Sequence, residues 1–175
     1  PPAEAACATA ETPIDMNKIA ETQALDLIFM VTFTAFSLLL ICSNSQGLQR
    51  KLLAVINSPT YAALHNPRYS VLSNPRNGIF QNCTEHTLDV LMAAVYGTND
   101  LAQIQANITA YFEPQVIEIG GLKRALTTLA SEALTTRNQG DVIGTTTFGS
   151  LARFMQKYDL AAEVYRVTPT QITRF

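Results

Sequence analysis

A cysteine stands on the first turn of a strongly apolar helical segment, within the sequence Gln-Asn-Cys-Thr-Glu at 81–85. Asn82 is a favoured N-cap residue, and Glu85 lies three positions later, as a capping box requires. Cys83 is then the first helical residue, where unpaired backbone N–H groups and the positive end of the helix dipole stabilise a thiolate. The placement is what a nucleophile for carbonyl carbon needs, and it makes Cys83 the candidate. A cysteine on a buried helix is more often a small side chain packed in the core, and this is the interpretation that the residues alone favour.

A nucleophilic cysteine needs a general base within reach, most often a histidine. The chain has two histidines, His65 and His86. His86 follows Cys83 by three residues and shares its side of the helix, but its ring has to reach back along that helix, so it is a weak candidate base. His65 falls in a turn-rich loop. For both, a surface or hydrogen-bonded residue is the alternative, and we expect a site without a well-placed base.

The composition argues against several other chemistries. Three cysteines and two histidines, widely spaced, do not make a structural zinc site, and no glycine-rich phosphate loop is present. The net charge is -2, and no basic cluster is longer than Lys123–Arg124. The sequence therefore predicts no metal, no cofactor and no nucleic-acid partner. A cell-envelope or protein partner stays open, as does the oligomeric state.

Apolar periodicity indicates which elements must position the cysteine. The segment from Cys83 to Tyr96 is apolar around most of its circumference and ends at Gly97, so it is predicted to be the most buried helix. Further helices are predicted after Thr12-Pro13, at 47–57, 98–112, 122–134 and 148–158, and as a short turn from Thr168-Pro169. Short strands are predicted at 116–119 and 163–167, turns over 57–78, and a polar, mobile loop at 135–147.

The uncharged run Leu27–Cys42 is the second long apolar feature of the chain. It is shorter than the roughly 20 residues of a membrane-spanning helix. Val31, Phe33 and Ala35 alternate with polar or bulky neighbours, which favours one or two strands buried against the Cys83 helix. A membrane helix and a buried core helix are the alternatives.

Length and composition, with 175 residues and 47% hydrophobic side chains, predict one domain over residues 1–175. Residues 1–11 are expected to be a flexible mature N-terminus left after removal of a signal peptide, which predicts a periplasmic or secreted protein, with membrane anchoring as the other reading. Cys7, Cys42 and Cys83 fit either one disulfide and a free thiol or three free thiols, and the sequence does not decide the pairing.

The segment around Cys83 resembles the cysteine segment of permuted papain-like hydrolases of the NlpC and lecithin-retinol-acyltransferase kind, in which an Asn-Cys pair opens the central helix. The chain is more closely similar to a family of exported bacterial proteins that is catalogued as a domain of unknown function. Three stretches in order carry the second likeness: Cys7 with the Thr12-Pro13 helix, Phe80–Glu85, and Tyr165–Ile172.

The resemblance implies an α+β fold on a papain-like cysteine-hydrolase scaffold, with a central buried helix that starts at Cys83 and packs on a small antiparallel sheet. It makes Cys83 the nucleophile, Asn82 its supporting cap, and places the catalytic histidine upstream on a strand. No histidine precedes His65, and too few residues lie near 25–26 for a complete barrel, so the scaffold is incomplete or a segment is missing there. The implied function is hydrolysis or transfer of peptide, amide or acyl groups; the alternative is a non-catalytic exported binding or assembly domain.

Overall fold

The computed structural model describes residues 31–32, 38–43, 46–118, 134–167 and 171–174. In chain order these form β1 (Val31–Thr32), β2 (Leu38–Ser43), α1 (Gln46–Ile56), α2 (Pro59–Ala63), α3 (Cys83–Tyr96), α4 (Leu101–Tyr111), β3 (Gln115–Ile117), β4 (Ile143–Thr145), α5 (Phe148–Lys157), β5 (Ala161–Val167) and β6 (Ile172–Arg174). Helices combined with small antiparallel sheets confirm the α+β class. The chain divides into two compact units, Pro1–Arg50 with Met155–Phe175, and Lys51–Phe154.

The first unit contains an antiparallel sheet in the order β1-β2-β5-β6. Ile41 pairs with Val164 at its centre, and Val164 is fully buried. The strand prediction for Leu27–Cys42 is confirmed over its described parts, β1 and most of β2, and one continuous helix through this run is wrong. No helix among the described residues is long and apolar enough to cross a membrane. The predicted burial against the Cys83 helix lies outside the described side chains.

The second unit is built around α3, which has more buried residues than any other described helix. Its buried members are Thr84, Glu85, Leu88, Val90, Leu91, Met92, Ala93 and Ala94. Burial of each large apolar side chain stabilises the fold by about 1.5–3 kcal/mol. Gly97 ends the helix in the left-handed conformation (φ 64°) and donates its N–H to the carbonyl of Ala93. The prediction for this helix, including both of its ends, is confirmed.

Residues 135–147 contain a strand that the sequence does not predict. Within this segment β4 pairs with β3, with Thr145 opposite Gln115. The Gln139 side chain accepts a hydrogen bond from the Gly144 N–H at 3.0 Å and donates to the Gly144 carbonyl at 3.0 Å. Threonine and glycine are typical of loops on the surface, but the partly buried bonds of Gln139 hold this strand in place. The buried polar residues here are Thr135, Thr136, Asn138, Thr145 and Thr146.

The short helical turn predicted from Thr168-Pro169 lies at residues that the structure does not describe, and β6 follows as a strand that the sequence does not predict. β6 pairs with β5 through Thr173 and Arg166. β-Branched Ile172 and Thr173 favour the strand. The apolar face predicted for α1 is only partly buried, because Ile56 is exposed near its end. The helices predicted after Thr12-Pro13 and over most of 122–134, and the N-terminus 1–11, lie outside the described residues.

Candidate functional site around Cys83

Cys83 is a free, exposed cysteine at the first position of α3. Its neighbours in sequence, Asn82, Thr84 and Glu85, are all buried. The Cys83 Sγ lies 4.0 Å from the Thr84 hydroxyl, a weak contact. The turn is therefore held in the protein while its thiol faces solvent, and the alternative of a cysteine packed into the core is wrong.

The Asn82 side chain fixes this turn through both of its amide atoms. Its oxygen accepts a hydrogen bond from the Glu85 N–H at 2.8 Å, which is the predicted N-cap. Its nitrogen faces three oxygens: the Val71 carbonyl at 3.1 Å, the Thr145 hydroxyl at 3.1 Å and the Thr146 carbonyl at 3.2 Å. One buried side chain thus joins the start of α3 to a distant loop and to β4.

Gln81 adds a second buried amide two residues before the thiol. Its nitrogen donates to the Leu64 carbonyl at 2.9 Å and to the Asp89 carboxyl at 2.7 Å, and its oxygen accepts from the Asn66 N–H at 2.9 Å. These bonds hold the chain before Cys83 against α3. Sequence reasoning missed Gln81, because no local signal distinguishes it from an ordinary surface glutamine.

Tyr69 lies next to the cysteine turn, through an isolated parallel bridge with Gln81. Side chains alternate here: Tyr69 and Val71 are exposed, whereas Ser70 between them is buried. Burial, followed by the negative charge of Cys83, raises the pKa of the Tyr69 phenol. Through this bridge Tyr69 is a neighbour of the cysteine turn that the sequence does not reveal.

The two histidines lie next to each other, and neither forms a hydrogen bond with the Cys83 thiol. The His86 ring packs edge-on against Tyr61, with centroids 4.8 Å apart, and 6.0 Å from His65. Burial lowers the pKa of His86; a hydrogen bond with the Leu64 backbone opposes the shift and His65 adds to it. The buried His86 Nδ1 has no hydrogen-bond partner among the described residues. The structure thus keeps both histidines in a separate aromatic cluster instead of pairing either with Cys83.

Two acidic side chains of α3 hold protons near neutral pH. Burial, with a smaller contribution from Asp89, raises the pKa of Glu85 to about 8, although the Ser73 hydroxyl and the Asn82 backbone N–H lower it. Burial also raises the pKa of Asp89 to about 7, against the bond from Gln81. Glu85 therefore does more than close the predicted capping box, since its carboxyl also binds the Ser73 side chain.

Among the described residues, neither a metal cluster nor the cavity at the far end of α3 belongs to this site. Within the described part of the chain, no group of three or more His, Cys, Asp or Glu side chains could hold a metal ion. A cavity of about 410 Å³ lies at the opposite end of α3 from the thiol. It is lined by Lys51, Ala54, Val55, Thr60, Ala93, Ala94, Gly97, Thr98 and Asn99.

Comparison with known proteins gives one family. No curated protein and no solved structure matches the chain. Residues 21–155 match the model of a family described as an uncharacterized protein conserved in bacteria (DUF2145). This match covers the cysteine turn, both histidines and the strand that supports Asn82. It confirms the expected likeness to a bacterial family of unknown function, and the chain belongs to that family.

Proposed function

We propose that the protein acts through the Cys83 thiol and hydrolyses or transfers a peptide, amide or acyl group on a papain-like scaffold. One observation carries the proposal: the thiol is exposed while the side chains on either side of it are buried and hydrogen-bonded. A cysteine with a purely structural role does not need buried, hydrogen-bonded neighbours that fix the direction of its exposed thiol. A nucleophile gains a fixed direction of attack, which lowers the entropic cost of reaching the transition state.

The reaction would follow the usual course of thiol catalysis. The Cys83 thiolate attacks the carbonyl carbon and forms a C–S bond, and the C–N or C–O bond of the substrate breaks as the leaving group takes a proton. Water or an acceptor then attacks the thioester and releases the thiol. The cap uses the Glu85 N–H, so the N–H groups of Cys83 and Thr84 are the ones that would stabilise the oxyanion.

His86 is the candidate base for this chemistry. Residues three apart on a helix have Cβ atoms about 5–6 Å apart, so a change of rotamer would bring the imidazole toward Cys83. In the observed rotamer His86 packs against Tyr61 and His65 instead. That packing favours the second candidate function, a non-catalytic binding or assembly domain on the same scaffold. Export to the periplasm or the medium, and a cell-envelope partner, stay predictions.

Alkylation and acylation of the thiol test the proposal. Intact-mass spectrometry would follow iodoacetamide labelling from pH 5 to 9, and then the acetyl thioester formed from p-nitrophenyl acetate. We expect rapid labelling well below pH 8 and a thioester that turns over, both lost in Cys83→Ser and kept in the matched control Cys42→Ser. His86→Asn should slow deacylation, whereas His65→Asn should not.

Three outcomes separate the candidate functions. Labelling and turnover that depend on Cys83 support the hydrolase or transferase. Labelling of Cys83 only at alkaline pH, with no thioester, supports the non-catalytic domain. Turnover that persists in Cys83→Ser contradicts the proposed nucleophile.

A further inference from the structure

Two carboxyl groups lie one turn apart on α3 and bind the same segment of the chain, residues 64–82. Glu85 is only 3% exposed and accepts a hydrogen bond from the Ser73 hydroxyl. Asp89 accepts a hydrogen bond from the Gln81 side chain at 2.7 Å. The 64–82 segment runs directly into the cysteine turn, so these two bonds hold the wall of the candidate site against the helix.

Neither acid has a charged partner in the described part of the chain, where no ion pair involves Glu85 or Asp89. Burial lowers the pKa of His86, on the same helix, and so disfavours its charged form. The described titratable or charged side chains on the surrounding segments are exposed, and none of them bonds to either acid. They are Tyr61, His65, Arg68, Tyr69, Arg76 and Arg137.

An ionised carboxyl in this position is unfavourable for two reasons. Burial removes the Glu85 carboxyl from water, and the half-buried Asp89 side chain in part, and no ion pair among the described residues compensates for this. The two acids also repel each other when both are ionised, because residues four apart on a helix are neighbours. The bonds from Ser73 and Gln81 oppose these effects without cancelling them, so that the pKa of Glu85 is raised to about 8 and that of Asp89 to about 7.

We infer that Glu85 and Asp89 form a proton-dependent latch, which holds the 64–82 segment against α3 when both are protonated and releases it as the pH rises. Tyr69 and Val71 belong to this segment, so release would change the surroundings of the Cys83 thiol. As a device that regulates catalysis the latch rests on the proposed function, but its opening does not depend on the thiol.

The direction of the effect follows from proton linkage. The closed state keeps protons that carboxyls in the open state, with an ordinary pKa of about 4, have already released. Raising the pH therefore favours opening, about tenfold per pH unit if one proton is lost and about a hundredfold if two are lost. The increase levels off above pH 8, because the closed state is then ionised as well.

Hydrogen exchange measured by mass spectrometry tests the latch. Protection factors for peptides within 64–82, corrected for intrinsic exchange, should fall tenfold to a hundredfold per pH unit from pH 5 to 7 and level off above pH 8. The double variant Glu85→Gln with Asp89→Asn should lose this dependence. Glu118→Gln, which removes one carboxyl group from an exposed side chain, should keep it. The latch is contradicted if the wild-type protection factors of these peptides do not vary with pH. It is also contradicted if they fall as steeply with pH in the double variant as in the wild type.

A second measurement uses only the wild-type protein and tests the latch even if the double variant does not fold. Assigned ¹³C signals of the two carboxyl carbons in the wild-type protein should titrate near pH 7 and pH 8, and titration of both near pH 4 overturns the inference. The outcome is distinct from that of the proposed function. The latch should persist in Cys83→Ser, so a latch without acyl transfer contradicts only the function, and acyl transfer without a latch contradicts only this inference.

Discussion

Replacing Asn82 with alanine should destabilise the protein more than the loss of an ordinary helix cap. The cap bond to Glu85 is worth about 1 kcal/mol, within a range of about 0.5–2. The variant also removes the amide donor from the buried Thr146 carbonyl, and a buried acceptor left without a partner costs about 1–3 kcal/mol. The Val71 carbonyl still accepts a hydrogen bond from the Thr145 hydroxyl at 3.2 Å, so the loss of its bond from Asn82 costs little. The sum is about 2–4 kcal/mol in the free energy of unfolding.

Asp100→Ala is the matched control for Asn82→Ala. Asp100 caps α4 through one bond to the Ala102 N–H at 2.9 Å and is exposed, so its removal should cost only about 1 kcal/mol. Asn82→Asp keeps the cap acceptor but loses the amide donor, so it should fall between the two. Urea unfolding followed by far-ultraviolet circular dichroism suits a chain without tryptophan. Equal costs for Asn82→Ala and Asp100→Ala would refute the reasoning, because they would mean that the three donor contacts contribute nothing.

Two further predictions concern the end and the middle of α3. Gly97→Ala should cost about 1 kcal/mol, because Gly97 has a φ of 64° that an L side chain rarely adopts, although a Cβ there meets no atom within 4 Å. Gly140→Ala, with equally open space and no positive φ, should stay within about 0.5 kcal/mol of the wild type in the same urea assay. Leu88→Ala should cost about 2–5 kcal/mol, since Leu88 is fully buried, whereas Leu101→Ala, at a side chain 55% exposed, should have little effect; similar costs would contradict the central position of α3.

Local signals in the sequence were sufficient to predict α3. The Asn82 cap, the apolar run after it and the terminal Gly97 all lie within sixteen consecutive positions, and each acts on its immediate neighbours. The exposed position of the thiol was not predictable in the same way. An apolar helix gives no information on which residue of its first turn faces solvent, because that depends on the segments packed around it.

The rest of the site depends on contacts between remote residues. Glu85 was predicted to close a capping box, but its raised pKa comes from burial, and the Ser73 side chain that it binds lies in a segment read as turns. β4 was missed because it is stabilised by Gln139 and by pairing with β3, while the threonines and glycines of the 135–147 segment are typical of loops. No periodicity in the sequence marks such partners.

The contacts of Asn82 also bear on the order in which the site forms. Its amide meets Thr145 and Thr146, which are 63 and 64 residues further along the chain. During synthesis the cysteine helix leaves the ribosome well before these partners exist, and in refolding the intervening loop must be ordered before the bonds can form. The helix that bears Cys83 is therefore synthesised before the residues whose bonds with Asn82 orient its thiol. A growing chain exposes this thiol in a turn that lacks these bonds until the segment around β4 has been made.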